Sequence, residues 1–299
     1  MTGSTGTVFG DSRGPGDTTS EGFAQYDAAV TSAATIEGPR VATELLSVEN
    51  VTVRFGGIVA VQDATFGIGE GEIVGLSGPN GAGKTTLFNV ITRFYQPTAG
   101  DVKLDGRSLL QSSPHDVIRL GIARTFQNVE LFRTMTALDN VLVGDHCNVR
   151  APWMASAIQL PSARRSERSA RQSAMDALDA VGLADIAARP VAGLPFGSLK
   201  RVELARALVS RPRMLLLDEP AGGLNHEEVA ELGNLIRRIH DDYNVTLLLV
   251  EHHMNLVMGV SDRVVVLNFG KRIALGTPAE VQANPAVVEA YLGAESGAA

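Results

Sequence analysis

The stretch GPNGAGKT, residues 78–85, carries glycines, a lysine and a hydroxyl at the spacing G-x-x-x-x-G-K-[ST]. The glycines let successive backbone N–H groups curl around a phosphate with no Cβ in the way. Lys84 brings a point charge to the β- and γ-phosphates, and the Thr85 hydroxyl suits Mg²⁺. A second group of residues, MLLLDE at 214–219, is an apolar run that ends in two carboxylates. At the carboxyl end of a parallel strand Asp218 would lie beside the phosphate loop and hold Mg²⁺. Glu219, one residue further, is offset from the metal and placed to polarise an attacking water. In VEHH (250–253) a strand-end histidine could donate to a γ-phosphate and register its presence. Gln127, in IARTFQ, could reach water or Mg²⁺ without adding charge. The last candidate is LPFGSLKRVELARAL, 194–208, where Pro195 precedes a helix that opens on Gly197-Ser198. Its uncapped N–H groups suit an anion.

Such residues need strands and helices to hold them. The apolar run EIVGLS leads into the phosphate loop, and a helix is expected from Gly83 to about Phe94. Strand character begins at LLSVENVTVRF (45–55) and returns in DVKLDG (101–106). From Pro114 to Ser210 the pattern is mostly helical and more polar. After Arg213, MLLLDE, a helix near 226–242, VTLLLVE and DRVVVLNFG alternate strand with helix. Buried apolar strands between helices predict a mainly parallel α/β core with an all-α block inserted. Within LPFGSLKRVELARAL, Val202, Ala205, Leu208 and Val209 recur at helical spacing. Lys200, Arg201, Glu203 and Arg206 are expected on the other faces. Residues 1–44, rich in Gly, Ser, Thr and Ala, are expected to be a disordered tail. The segment 150–173 mixes Pro, Ser and Arg with the lone Trp153, which fits a solvated connection or a docking element.

Composition narrows the classes further. The chain has 299 residues, 44% of them hydrophobic, and a formal charge of −7, which disfavours a large nucleic-acid footprint. One cysteine, Cys147, cannot form an internal disulfide. No apolar run approaches the roughly 18 residues of a membrane-spanning helix, and the start has neither a basic region nor an apolar stretch of a secretory signal. The expectation is a chain that stays inside the cell and meets membranes through a partner.

Taken in their order along the chain, these motifs resemble the ATP-binding subunits of ABC transporters over residues 46 to about 293. The resemblance implies a P-loop NTPase core with a mainly parallel sheet and an antiparallel β subdomain. A helical subdomain is inserted at about 114–210, all within an ATPase domain at 45–296. It implies that Gly78, Pro79, Asn80, Gly81, Ala82, Gly83, Lys84, Thr85 and Thr86 bind ATP, with Phe55 stacking on adenine. Mg²⁺ would be held by Thr85, Gln127 and Asp218, and Glu219, His252 and Gln127 would serve catalysis. Gln127 would also link the metal site to the membrane partner. LPFGS stands where the family usually has Leu-Ser-Gly-Gly-Gln, so Gly197 and Ser198 would complete the ATP site of a facing subunit, the same chain or a paralogue. AGGLN, 221–225, occupies the loop that couples the two.

AGGLN after DEP, EHHM, the 150–173 insertion and the ending GTPAEV…NPAVVEAYLG resemble the importers of branched-chain amino acids and their urea and amide relatives. Implied partners are permease subunits at the cytoplasmic face of the membrane and, indirectly, an extracytoplasmic solute-binding protein. The chain departs from the wider family at Pro195, Phe196 and Ser198. Asn225 and His253 stand where that family often has Asp. A soluble phosphate-loop kinase would share GPNGAGKT but would not need LPFGSLKRVELARAL and VEHH in this order. A DNA- or ribosome-remodelling relative typically carries two cassettes, whereas one is present here.

Overall fold

The computed structural model describes residues 44–125, 130–146 and 161–296, and elements are numbered along those residues. IVGLS, MLLLD and TLLLV are buried at every position, the pattern of strands covered on both faces. They form β3 (Ile73–Ser77), β7 (Met214–Asp218) and β8 (Thr246–Val250). With β6 (Ile122–Arg124), β9 (Arg263–Asn268) and β10 (Lys271–Gly276) they build a six-stranded sheet in the order β10-β9-β3-β8-β7-β6. Every neighbouring pair in it is parallel except β9–β10. A second, antiparallel sheet of four strands has the order β2-β1-β4-β5, from β1 (Glu44–Phe55), β2 (Ile58–Gly69), β4 (Ala99–Leu104) and β5 (Arg107–Ser108).

Helix α1 (Lys84–Ile91) packs Leu87, Phe88, Val90 and Ile91 into one core with Val48 and Phe66 of the antiparallel sheet and Leu216 and Val250 of the parallel one. The short α2 (Asp116–Arg119) leads into β6. Three helices, α3 (Ala137–Gly144), α4 (Pro161–Ala180) and α5 (Phe196–Leu208), share a second core through Val141, Leu178, Val202 and Leu208. Leu215 and Leu247 of the central sheet and Leu235 of α6 (His226–Tyr243) extend that core. The chain closes with α7 (Met254–Val260), α8 (Pro278–Gln282) and α9 (Pro285–Ser296).

The α/β class, the parallel core, the antiparallel sheet and the helical insertion are as the sequence predicts. Three details differ. Helix α1 stops at Ile91 rather than near Phe94, because Arg93 takes a left-handed φ of 64°. The block from 114 to 210 is not wholly helical: β6 inside it adds an edge strand to the central sheet, and three residues are too few to carry a periodicity. In α5 Lys200 and Glu203, expected to face outward, are 7% and 2% exposed, since the helix is wedged between the helical block and β7. Residues 1–43, Gln127, Cys147 and Trp153 lie outside the described residues, and of the 150–173 segment only 161–173, the start of α4, falls within them.

The consequence for a site is positional. In register, Leu76 pairs with Val250 and Val250 with Asp218, so β3, β8 and β7 end side by side. The phosphate loop, the two histidines and the two carboxylates follow those three ends directly, at the carboxyl edge where open α/β sheets bind ligands.

Candidate functional site

The phosphate loop runs from the end of β3 into α1. Gly78 has φ +146° and Gly83 φ +99°, and a Cβ at either would collide with a carbonyl oxygen, Leu267 or Ala60 respectively. Glycine is required at both by the close approach of neighbouring strands. Asn80, Gly81 and Thr85 are exposed on the rim, Thr86 is half-buried in the first turn of α1, and Ala82 is buried behind them. Lys84 is buried, and its ammonium donates to the carbonyls of Gly78 at 2.6 Å and Pro79 at 3.0 Å, folding back over the loop. Burial pushes its pKa down, while the charges of Glu219 and Glu251 pull it back up. A buried ammonium beside a ring of backbone N–H groups is a strong phosphate anchor.

Asp218 closes β7 with a carboxylate only 4% exposed, and burial pushes its pKa up to about 6 against the pull of Arg124. The Arg124 guanidinium stands 3.8 Å from Oδ2, whereas Oδ1 is buried with no hydrogen-bond partner. An orphaned carboxylate oxygen at this depth, with the Thr85 hydroxyl at the head of α1, is the oxygen chemistry a hard divalent cation takes. The residues present therefore fit Mg²⁺.

That shift has a sign that can be tested. Asp218 holds its proton more tightly folded, at about 6, than unfolded, at 3.8. Its contribution of about 3 kcal/mol is therefore fully present below the unfolded value and lost as pH rises through the folded one. Melting curves of the metal-free chain from pH 4 to 8 should show Asp218→Asn gaining on the wild type as pH rises, by about 3 kcal/mol in total. A constant gap across that range would mean that Asp218 titrates as an ordinary carboxylate.

Glu219 takes a left-handed φ of 46° just past β7, a conformation that costs a non-glycine residue about 1 kcal/mol or more. Its N–H donates to the Val250 carbonyl at 2.9 Å and its carbonyl accepts from Gly222 N–H at 3.1 Å. This kink turns the carboxylate out of the strand, 23% exposed, and Oε2 lies 4.0 Å from Nδ1 of His252. Because β8 stops at Val250, strand alternation does not separate His252 from His253: their rings lie side by side, centroids 4.5 Å apart. His252 is the more exposed and the one that reaches Glu219.

Glu251 was not legible as a functional residue. It is fully buried, and its carboxylate accepts N–H bonds from Ala221 at 2.7 Å, His252 at 3.0 Å and His253 at 3.3 Å. It thus fastens the loop after Glu219 to the turn bearing the histidines, and fixes their separation. The available signal was a carboxylate placed straight after an apolar strand with no cation beside it in sequence.

Helix α5 begins after Pro195, which supplies no side-chain cap to its first N–H groups. Gly197 and Ser198 sit half-exposed in that first turn. A Cβ built at Gly197 would meet Glu228 Oε1 at 3.4 Å and Leu224 Cδ2 at 3.9 Å, both ordinary contacts, so packing within this chain does not demand glycine there. Phe196 lays its ring against Gly223 of the AGGLN loop. That loop ends in Asn225, which caps α6: its side chain accepts from Glu227 and Glu228 N–H, and Glu228 returns a bond to the Asn225 N–H. Phe55, at the tip of the β1–β2 hairpin, is 45% exposed, with Tyr95 edge-on at 5.3 Å. Ala60 and Val61 of the same hairpin underlie Gly83, which puts Phe55 on the phosphate-loop side of the molecule.

The structure therefore brings together the phosphate loop, Asp218, Glu219 and His252. Gln127 lies outside the described residues, and Gly197 and Ser198 form a separate, half-exposed helix start.

Comparison with known proteins gives consistent results. The model of the ABC transporter family matches residues 61–222, and that of the branched-chain amino acid ATP-binding cassette transporter matches residues 271–296. The chain is 46% identical over 249 residues to the high-affinity branched-chain amino acid transport ATP-binding protein BraF of Pseudomonas aeruginosa, covering 83% of this chain and 98% of that one. The ADP conformation of MJ1267, an ATP-binding cassette of an ABC transporter, superposes with a TM-score of 0.73 at 30% identity, over 84% of this chain and 99% of that one. A dimeric post-hydrolysis state of the cassette MJ0796, bound to ADP and Pi, matches at 25% identity with a TM-score of 0.66, over 78% and 99%.

Proposed function

This chain belongs to the ATP-binding proteins of ABC transporters, and we propose that it hydrolyses ATP to drive uptake of branched-chain or other hydrophobic amino acids through a membrane permease. The observation that carries the reading is the convergence at one sheet edge. β3, β8 and β7 end side by side in a phosphate loop, a histidine and a carboxylate pair. The likeness of the C-terminal segment to branched-chain amino acid cassettes favours amino acids over urea or short amides.

The residues divide the work as follows. The N–H groups of the phosphate loop and Lys84 bind the β- and γ-phosphates, and Phe55 offers its exposed ring to adenine. Thr85, Asp218 and Gln127 would hold Mg²⁺, which supplies charge neutralisation at the phosphates. Glu219 accepts a proton as a water oxygen attacks the γ-phosphorus and the bond to the bridging oxygen breaks, giving ADP and phosphate. His252, held by Glu251, donates towards the γ-phosphate. Gly197 and Ser198 are assigned to the γ-phosphate of a second ATPase subunit, and the dimeric state of a similar cassette supports a two-subunit arrangement. Among the described residues no helix is long and apolar enough to cross a membrane. The chain would attach to the cytoplasmic face through permease subunits, with an extracytoplasmic solute-binding protein delivering the amino acid.

Lys84→Ala tests the reading at its base. Losing the buried cation of the phosphate loop should weaken ATP binding at least tenfold, the effect of a lost charge-assisted bond. Titration with a fluorescent ATP analogue measures it. In cells relying on this transporter, uptake of labelled leucine should fall to background in the same variant. Wild-type affinity in Lys84→Ala would overturn the phosphate-loop assignment, and unaltered leucine uptake with lost urea uptake would reassign the cargo.

A further inference from the structure

The C-terminal helix has no part in the chemistry described above, yet α9 reaches the root of the phosphate loop. The hydroxyl of Tyr291 lies 2.7 Å from Oγ of Ser77, the last residue of β3, with the backbone of Gly78 beside it. Ser77 is fully buried, and its Oγ also stands 3.3 Å from the carbonyl of Glu251 and 3.3 Å from Sδ of Met254. One hydroxyl on the C-terminal helix thus touches the residue that leads into the phosphate loop and, through Ser77, the segment that carries the histidines. The backbone of Gly78 has little freedom, because the carbonyl of Leu267 closes on it.

We propose that Tyr291 is a positioning residue: its hydroxyl fixes the entry of the phosphate loop through Ser77 and Gly78, giving the C-terminal helix a direct part in nucleotide binding. The inference rests on the ATPase reading of that loop. Three features carry it. The contact is short and made in a water-poor place, where a hydroxyl without a partner is costly. Burial pushes the phenol's pKa up, so the group stays a neutral donor and acceptor. The helix itself is held independently, by Val287 packed with Val264, Val266 and Val281. Loss of the hydroxyl alone should therefore leave α9 in place.

Tyr291→Phe removes the oxygen and little else. In the full-length chain, affinity for a non-hydrolysable ATP analogue should fall about three- to tenfold, the scale of one or two lost hydrogen bonds. Amide exchange should quicken in residues 78–84 and stay as in the wild type in α4 and α6. Ser77→Ala should weaken binding too, and adding Tyr291→Phe to it should weaken binding less than that change does alone, because both remove one shared contact. Wild-type affinity in Tyr291→Phe, or faster exchange spread evenly over the chain, would overturn the proposal and leave α9 a packing element. If wild type binds the analogue, these failures concern Tyr291 only; a wild type that bound none would overturn the ATPase reading as well.

Discussion

Replacing Glu219 by Gln should leave ATP binding near the wild-type value while cutting turnover by roughly 10²–10⁴, the range for losing a general base. The amide fills the same space, so the left-handed turn at φ 46° and the bond from Glu219 N–H to Val250 remain. What disappears is the acceptor for the water's proton. ATP that binds but is not cleaved should then hold two ATPase subunits together. Single-turnover hydrolysis and gel filtration with and without ATP measure both consequences. Hydrolysis at the wild-type rate would remove Glu219 from the mechanism.

Gly197→Asp should abolish ATP-induced dimerisation and hydrolysis while the single chain still folds and binds ATP through Lys84. A Cβ at this position meets nothing closer than Glu228 Oε1 at 3.4 Å in its own chain, so there is no steric clash, and Gly197→Asn serves as the control for repulsion from Glu228. The added carboxylate would instead face the γ-phosphate of the second subunit, and repulsion between like charges grows as water is excluded from between them. An acidic side chain in the first turn even suits its own helix dipole. The fold should therefore hold, at the cost of some repulsion from Glu228, while assembly fails. Measuring ATP affinity and ATP-induced dimerisation side by side decides the matter: dimers at the wild-type ATP concentration would reduce α5 to an ordinary surface helix.

How much of this could be read from the residues alone follows from the range of the interactions involved. GPNGAGKT and MLLLDE are local signals: glycine φ, a strand period and adjacent carboxylates are all encoded within a few residues. The parallel order of β3, β7 and β8 was implied by apolar runs too uniform for a half-exposed sheet. The role of Glu251 was hidden, since two of its donors are its neighbours but the third, Ala221, is thirty residues away. Likewise Tyr291 meets Ser77 only because α9 folds back across the sheet edge. Helix α5 misled in the opposite sense: its charges suggested a solvated face, but Lys200 and Glu203 are enclosed by elements from elsewhere in the chain.

The room for a methyl group at Gly197, at ordinary contact distance from Glu228 and Leu224, bears on any attempt to improve this protein as an isolated chain. A design procedure scoring one subunit would exchange that glycine for alanine. The reward would be a few tenths to about 1 kcal/mol, because alanine loses less backbone entropy in a helix. Thermostability screens would endorse the change. The added methyl group would nevertheless occupy the path by which the backbone of α5 approaches the neighbouring subunit's phosphate. On the proposed two-subunit site, selection on this residue acts through a molecule other than the one that carries it, so a sturdier monomer would be a poorer half of an ATPase.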